Sequence, residues 1–254
     1  MMDIPDTVLN AQNVELRQVV NLRDLGNLPV GQGGITRPGV LYRSDAPYPS
    51  DLPLNFVHVS PPPTVVDLRA VDEVSGDHPW EGVVDVRRVP LLRRAAVLTA
   101  AEGVNTGVGD LYEIYQLIVT TESVRVASLL SIAAHSIGPT LLHCAAGKDR
   151  TGIAIAILLL AAGVTPEVVI DDFTATAANM ERLLARLEQL GRRIPGSPLP
   201  SPEVLGTPVN AMEMVIEAVT DTSGSVDPWL VENGVPEADI DTWRRRFVNQ
   251  VPSV

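Results

Sequence analysis

Hydrophobic and β-branched residues cluster in four short runs that predict strands, at residues 40–43, 64–68, 83–91 and 140–143. Helical or loop-like stretches separate these runs. Strands that alternate with helices indicate an α/β fold with a mostly parallel central sheet flanked by helices. In such sheets functional groups gather at the carboxyl ends of the strands, so we expect the site there.

One helix is predicted to be fully buried, because residues 151–162 are apolar on every side and the run ends at Gly163, a typical glycine C-cap. A helical pattern also starts at Pro166 and continues to Gly191, with a break near Asn179. The stretch 94–108 has no clear period and predicts a loop, and 192–208 is rich in proline, glycine and serine. The remaining predicted helices are 109–119, 122–136, 210–219, 228–232 (capped by Asp227) and 236–248.

Length and composition predict one globular domain over residues 1–254, with a core over 14–191 and a C-terminal helical segment over 192–254. The chain has 254 residues, of which 45% are hydrophobic and 20% charged, and no apolar run is long enough to cross a membrane. A net charge of −12 argues against nucleic-acid binding, which needs cationic side chains to neutralise phosphates. Composition leaves the oligomeric state open.

The cysteine count bears on the compartment. A chain with a single cysteine cannot form an internal disulfide, and its first residues lack the basic and apolar regions of a signal peptide. The reducing cytoplasm is therefore the predicted location.

Cys144 lies in the stretch that carries the most chemistry, His-Cys-Ala-Ala-Gly-Lys-Asp-Arg-Thr-Gly from His143 to Gly152. The stretch joins a predicted strand to the buried helix, so backbone N–H groups at the helix start can converge on one anion. The same field favours a nucleophilic thiolate at Cys144. The predicted phosphate-binding residues are Ala145, Ala146, Gly147, Lys148, Asp149 and Arg150.

Arg150 is the predicted partner of the nucleophile. Its planar guanidinium can hold two oxygens of a phosphoryl group, and this contact strengthens as charge develops in the transition state. Lysine, a point charge, could not replace it. The alternative is that Cys144 is a small buried hydrophobe in an ordinary turn. Six interpretable residues at fixed spacing between a strand and a helix favour the phosphate loop.

Several neighbours have predicted supporting roles. We expect His143 to order the loop by hydrogen bonding, and Thr151 either to donate its hydroxyl to the thiolate or to cap the helix. Lys148 adds a cation for substrates with more than one phosphate. Asn21, Arg23 and Asp24 are expected to form an ordering network. Arg43, Asp67, Arg69 and Glu73, at predicted strand ends, could contact the substrate directly or form scaffold salt bridges, and we favour the salt bridges.

The His-Cys-x5-Arg-Thr-Gly loop resembles that of cysteine-dependent phosphatases, and its Gly-Lys-Asp centre is similar to that of a family of bacterial protein tyrosine phosphatases. Other segments resemble that family's N-terminal motifs in the same order: residues 21–26, 37–44 and 66–69 followed by Glu73. Residues 235–248 resemble its last helix. The resemblance covers nearly the whole chain and, because the family includes a secreted enzyme, leaves export without a cleaved signal peptide open.

The resemblance implies a cysteine-phosphatase fold whose C-terminal helices form a lid over the pocket, hinged before Asn210; a static helical wall is the alternative. It also implies a protein-tyrosine phosphatase that hydrolyses phosphate monoesters through a cysteinyl-phosphate intermediate, without metal or cofactor. The alternatives are a phosphoinositide or dual-specificity phosphatase, suggested by Lys148, and a module that binds phosphorylated ligands without turnover. The implied partner is a phosphotyrosine protein or a phosphoinositide.

The general acid is missing from its expected place. In the resembled family an aspartate follows the strand equivalent to 83–91, but here the residues are Leu91, Leu92 and two arginines. Glu102, Asp110 and Asp149 are the substitutes. We favour Asp149 as a catalytic residue beside Cys144 and Arg150, because the motif fixes its place next to the phosphate.

Overall fold

The computed structural model describes residues 18–31, 33–54, 59–74, 76–92, 111–196 and 205–250. The strands are β1 (Arg23–Asp24), β2 (Pro29–Val30), β3 (Gly34–Thr36), β4 (Leu41–Ser44), β5 (Thr64–Asp67), β6 (Asp85–Arg88), β7 (Thr140–His143) and β8 (Val248–Gln250). The helices are α1 (Leu111–Thr121), α2 (Ser123–His135), α3 (Asp149–Ala161), α4 (Pro166–Ala175), α5 (Met180–Gln189), α6 (Val209–Val219), α7 (Asp227–Glu232) and α8 (Glu237–Phe247). Short 3-10 helices occupy Val71–Glu73 and Thr176–Asn179.

A five-stranded sheet with the order β1-β4-β7-β5-β6 forms the centre. Its strands β4, β7, β5 and β6 run parallel, and β1 pairs antiparallel with β4 at the edge. The mostly parallel sheet predicted from the sequence is therefore confirmed. The register aligns the carboxyl ends of three strands, with His143 opposite both Ser44 and Asp67. Polar residues from distant parts of the chain thus meet at one edge of the sheet.

The helix that follows β7 is buried on all sides, as predicted, although it starts at Asp149, two residues before the predicted start. Gly163 ends it with a φ of +85°, a left-handed conformation that glycine adopts readily. Gly152 allows close packing, since a Cβ there would lie 2.9 Å from the ring of Phe173. Helix α3 is thus held tightly between the sheet and its helical neighbours.

A second, three-stranded sheet with the order β2-β3-β8 was not predicted. Its strands are two or three residues long, so they carry too little alternation to be recognised from sequence. The last helix consequently stops at Phe247 instead of Val248, because Val248 pairs with Thr36. Trp243 and Phe247 stack with their ring centres 4.6 Å apart, which fixes this helix on the core.

Other boundaries differ in detail. The strand predicted over 83–91 is confined to Asp85–Arg88, and the break near Asn179 is the 3-10 segment Thr176–Asn179. Asp227 is the first residue of α7 rather than its cap. The predicted loop 94–108 lies outside the described residues.

One large hydrophobic cluster joins the central sheet to the helices before and after position 191. It includes Leu142, Leu158, Val215 and Trp243. Residues on both sides of position 191 thus contribute to the same core. Within the described ranges, no single helix is long and apolar enough to cross a membrane; the consecutive helices α1 and α2, bent by 71°, meet that test only when taken together.

Candidate active site

The loop 144–148 connects β7 to α3 at the carboxyl edge of the sheet. Cys144 begins it and is 3% exposed. Gly147 has a φ of +69°, and a Cβ at this position would lie 2.4 Å from the carbonyl oxygen of Ser44. Glycine is therefore required twice over, for the left-handed backbone and for the close approach to the end of β4.

Scaffold donors hold five successive carbonyl groups at the loop, from His143 to Gly147. The donors, in that order, are Leu68 N (2.9 Å), His143 Nδ1 (3.2 Å), Ala46 N (3.1 Å), Asn21 Nδ2 (2.7 Å) and Arg43 Nη2 (2.7 Å). In a planar trans peptide the N–H points opposite to the C=O, so anchoring the carbonyls behind the loop turns the following N–H groups to its concave side. These N–H groups belong to Cys144 and to four of the six predicted phosphate-binding residues, Ala145, Ala146, Gly147 and Lys148.

Arg150 stands on the first turn of α3 and forms a two-pronged ion pair with Glu73. Its Nη2 donates to Glu73 Oε1 over 2.8 Å, and its Nη1 donates to Oε2. Glu73 also accepts the backbone N–H of Ala70 (2.7 Å). Burial lowers the pKa of Arg150. The hydrogen bonds to Glu73 and the proximity of Cys144 outweigh burial and raise this pKa above its ordinary value. Glu73 thus forms a salt bridge, and its partner is the site arginine itself.

A second, deeper ion pair lies behind the loop. Arg43 is fully buried, and its Nη1 lies 2.5 Å from Asp172 Oδ2, while Arg23 donates to Asp172 Oδ1 over 2.6 Å. Burial raises the pKa of Asp172, but Arg43 and Arg23 outweigh it and keep this pKa below its usual value. Arg43 and Arg23 therefore have the scaffold and ordering roles predicted for them. Asp172 was missed, because one carboxylate on a helix gives no signal in the sequence.

His143 lies under Cys144 and contacts a second histidine. Its Nε2 is 3.2 Å from His78 Nε2, and its Nδ1 is 3.8 Å from Asp67 Oδ1. Asp67 in turn accepts two-pronged bonds from Arg69. Burial raises the pKa of Asp67, but the adjacent His143 and the guanidinium of Arg69 outweigh it and hold it at about 2. His78 was not recognised, since nothing near it in sequence suggests chemistry.

Asp149 is bound on the open side of the loop. Tyr115 of α1 donates its hydroxyl to Asp149 Oδ1 over 2.7 Å, and Lys148 Nζ lies 3.1 Å from the same oxygen. Burial and the adjacent carboxylate raise the pKa of Tyr115 well above its usual value, so the phenol keeps its proton. Lys148 also donates to the carbonyl of Gly206 (2.8 Å) and is 3% exposed, so its cation is engaged within the protein.

Thr151 departs from both predictions. The cap of α3 is Lys148, and Thr151 is already the third helical residue. Its Oγ1 is buried and has no hydrogen-bond partner among the residues that the structure describes, Cys144 included. The capping role is therefore wrong, and the predicted bond to the sulfur is not formed.

Three further acidic residues had predicted roles at the site. Asp24 accepts the backbone N–H groups of Gly26 and Gly39 and so shapes a turn away from the loop, whereas it was expected in the ordering network. The alternative acids Glu102 and Asp110 lie outside the described residues.

The C-terminal helices pack directly beside the site. Met212 of α6 lies fully buried near Gly152, and Gly206, just before that helix, reaches Lys148. The segment predicted as a lid or a wall therefore contacts the loop, and its motion stays a prediction.

Comparison with known proteins places this geometry in context. Residues 14–249 match the model of a family described as the tyrosine phosphatase family. Triple specificity protein phosphatase PtpB of Mycobacterium tuberculosis is 29% identical over 131 residues, which cover 47% of this chain and 46% of that protein. A Cupriavidus necator protein named "Putative tyrosine-protein phosphatase" is 31% identical over 228 residues, covering 84% of this chain and 80% of the relative. The chain thus aligns with less than half of the mycobacterial protein and with most of the second relative.

Proposed function

The chain belongs to the tyrosine phosphatase family, and from this premise we propose that it hydrolyses phosphotyrosine in proteins through a cysteinyl-phosphate intermediate on Cys144. The observation that carries the proposal is the set of five anchored carbonyls, which turns the loop N–H groups to one concave face beside the sulfur. Such a ring of donors at a helix start suits a dianionic phosphate.

In the first step the sulfur of Cys144 attacks phosphorus, and the bond from phosphorus to the tyrosine oxygen breaks. The leaving oxygen needs a proton, which we assign to Asp149. Both of these contacts of its side chain use Oδ1, so we assign the proton transfer to the other oxygen, Oδ2. Tyr115 fixes the orientation of the carboxyl group.

In the second step water attacks the phosphorus of the cysteinyl phosphate. The sulfur–phosphorus bond breaks, inorganic phosphate leaves, and Asp149 takes the proton from the water, which restores its starting form. Cys144 returns as the nucleophile. The chemistry is complete with the residues of this chain.

Arg150 stabilises the charge on the phosphoryl oxygens. A guanidinium has five N–H donors, and the pair with Glu73 uses one on each terminal nitrogen. We assign the phosphate contact to the remaining edge, formed by Nε and Nη2. Glu73 then holds the plane of the guanidinium and leaves that edge for a bidentate contact with the phosphate.

Phosphotyrosine is preferred over a phosphoinositide as the substrate. A second phosphate would need a free cation at the loop, and the Lys148 ammonium is engaged by Gly206 and Asp149. The name of the mycobacterial relative claims three specificities for that protein. Lys148→Ala tests the point here: a greater loss on phosphoinositides than on phosphotyrosine would favour the lipid.

We further propose that the whole chain acts as one phosphatase domain, since residues before and after position 191 share one core. The cytoplasmic location inferred from the cysteine count stays a prediction.

The deciding experiment measures hydrolysis of phosphotyrosine, phosphoserine and phosphoinositide substrates, with and without a chelator, for the protein and for Cys144→Ser. We expect phosphotyrosine hydrolysis that a chelator leaves unchanged. The variant should lose turnover yet still bind a phosphotyrosine peptide or vanadate, since serine preserves the backbone donors. Turnover by Cys144→Ser would rule out the cysteinyl intermediate, and binding without turnover by the intact protein would identify a binding module instead.

A further inference from the structure

Two buried histidines stand directly beneath the nucleophile, and the proposed chemistry uses neither ring as an acid or base. His78 is 2% exposed and His143 is 0% exposed. Their Nε2 atoms lie 3.2 Å apart, a hydrogen-bonding distance, so one of them must donate and the other accept. Which ring donates is decided by the groups at the other two nitrogens.

The backbone N–H of Trp80 fixes the tautomer of His78. The N–H of Trp80 points to His78 Nδ1 at 3.2 Å, and a backbone N–H can only donate. Nδ1 of His78 is therefore the acceptor and carries no hydrogen. A neutral imidazole holds its one proton on the other nitrogen, so His78 Nε2 is the donor to His143 Nε2.

The state of His143 follows by the same reasoning. Its Nε2 accepts from His78, so its own proton sits on Nδ1. That nitrogen lies 3.2 Å from the carbonyl oxygen of Cys144 and 3.8 Å from Asp67 Oδ1, both of which are acceptors. A directed chain thus runs from the Trp80 amide through His78 and His143 to the first carbonyl of the phosphate loop.

We infer that His78 is a positioning residue that fixes the proton of His143 on Nδ1, where it is donated to the carbonyl of Cys144 and sets the orientation of the first loop peptide. This peptide carries the N–H of Ala145, which begins the donor ring. The activity part of the inference rests on the proposed function, whereas the proton positions do not.

Burial favours the neutral form of both rings. Burial lowers the pKa of His78 to about 3, helped by the neighbouring His143, and burial also lowers the pKa of His143. The charged groups that face the pair are Asp67, Arg69, Arg88 and Arg150. A proton added to His143 Nε2 would set two N–H groups against each other at 3.2 Å.

A metal site is the other reading of this cluster, because Asp67, His78 and His143 each offer a ligand atom within 4.8 Å of the others. The hydrogen-bond pattern opposes it. A metal needs the lone pair of His78 Nε2, and the Trp80 N–H places the hydrogen there. Both oxygens of Asp67 are also held by Arg69.

The test compares two substitutions of one residue in the full chain. His78→Gln retains an amide donor near the position of Nε2, and His78→Phe retains a planar ring but has no donor or acceptor. His135→Gln, at an exposed histidine paired with Asp239, is the matched control. Circular dichroism confirms that each variant is folded.

The direct readout is the ¹⁵N spectrum of the histidine rings at pH 7, in which shifts and couplings show which nitrogen carries the hydrogen. The chain has four histidines, so single substitutions assign the signals. We expect the Nδ1–H form for His143 and the Nε2–H form for His78. His143 should keep the Nδ1–H form in His78→Gln and shift towards Nε2–H in His78→Phe.

Three results would overturn the inference: His143 in the Nε2–H form in the intact protein, no change of His143 in His78→Phe, or Zn²⁺ binding at both rings. If His78→Phe does not fold, the first result and the Zn²⁺ titration still decide. These spectra need no activity, so a failure of the proposed function leaves them interpretable.

The kinetic readout is hydrolysis of a phosphotyrosine peptide. Loss of one ordering hydrogen bond should lower kcat about tenfold in His78→Phe with KM within about twofold. His78→Gln should restore kcat to near the wild-type value. Equal losses in both variants would mean that His78 acts by packing alone, and the positioning role would be wrong.

Discussion

Two arginine–carboxylate pairs lie on opposite sides of the phosphate loop, and both are almost fully buried. Behind the loop, Arg43 pairs with Asp172, which also binds Arg23. Arg43 also donates a hydrogen bond to the Gly147 carbonyl. On the open side, Arg150 pairs with Glu73 through the ends of its two terminal nitrogens. A guanidinium–carboxylate pair thus occurs twice at the loop, and the two guanidinium groups differ in their other contacts.

The difference lies in what else each guanidinium touches. Arg43 directs its two terminal nitrogens to Asp172 and to the Gly147 carbonyl, so it holds the loop in place. Arg150 is fixed by one carboxylate along one edge, and the proposed substrate uses another. Burial of an ion pair is therefore no measure of its role, which depends on what else the guanidinium contacts. Substitutions on the open side should affect turnover, and those behind the loop should affect stability.

The largest effect is expected for Arg150→Lys. A point charge cannot replace the bidentate contact, so kcat for a phosphotyrosine peptide should fall by about 10³- to 10⁴-fold. The melting temperature should change little, because lysine still offers a cation to Glu73. Arg125→Lys, in an exposed pair with Glu122, is the control and should retain full activity. Near-normal turnover of Arg150→Lys would show that this arginine is structural, like Arg43.

Asp172→Asn should act mainly on stability. It leaves Arg43 and Arg23 without their counter-charge in a buried place, which should lower the free energy of unfolding by about 3 kcal/mol. Urea denaturation measures this. Asp85→Asn removes the partner of Arg87 in an exposed pair and should cost less than about 0.5 kcal/mol. If both variants are equally stable, the deep pair does not hold the loop.

Asp149→Asn sharpens the comparison on the open side. Without a proton donor, kcat should fall about 10²-fold for phenyl phosphate, whose leaving group is poor, and only about threefold for p-nitrophenyl phosphate. Tyr115→Phe, which removes the hydroxyl that orients Asp149, should show the same pattern more weakly. Equal losses on both substrates would mean that Asp149 shapes the loop and that the acid lies elsewhere.

A further expected effect is a pH dependence of stability from His78, behind the loop. The pKa of His78 is about 3 in the folded protein and about 6.5 when unfolded, so the unfolded chain binds the extra proton. Stability from this source is complete above about pH 6.5 and is lost as the pH falls towards 3, with a slope of up to about 1.4 kcal/mol per pH unit. His78→Gln should reduce the measured slope between pH 6 and 4. An unchanged slope would show that His78 already accepts its proton in the folded state.

Much of the fold could be predicted from the sequence, for local reasons. Strand β7, the loop and helix α3 are contiguous, so hydrophobic periodicity and the glycines at 147 and 163 specify the strand, turn and helix in order. The parallel sheet followed from the alternation of strands and helices. Strands β2, β3 and β8 were missed because two or three residues show no period.

The sequence by itself determined where the proposed nucleophile and the predicted phosphate-binding N–H groups lie, because both depend on residues that are neighbours along the chain. Only the tertiary structure decided the partners: Glu73 for Arg150, Asp172 for Arg43, Tyr115 for Asp149 and His78 for His143. Each pair joins positions that are at least 34 residues apart. Such contacts depend on strand register and helix packing, which bring distant side chains to one edge of the sheet and leave no local pattern in the sequence.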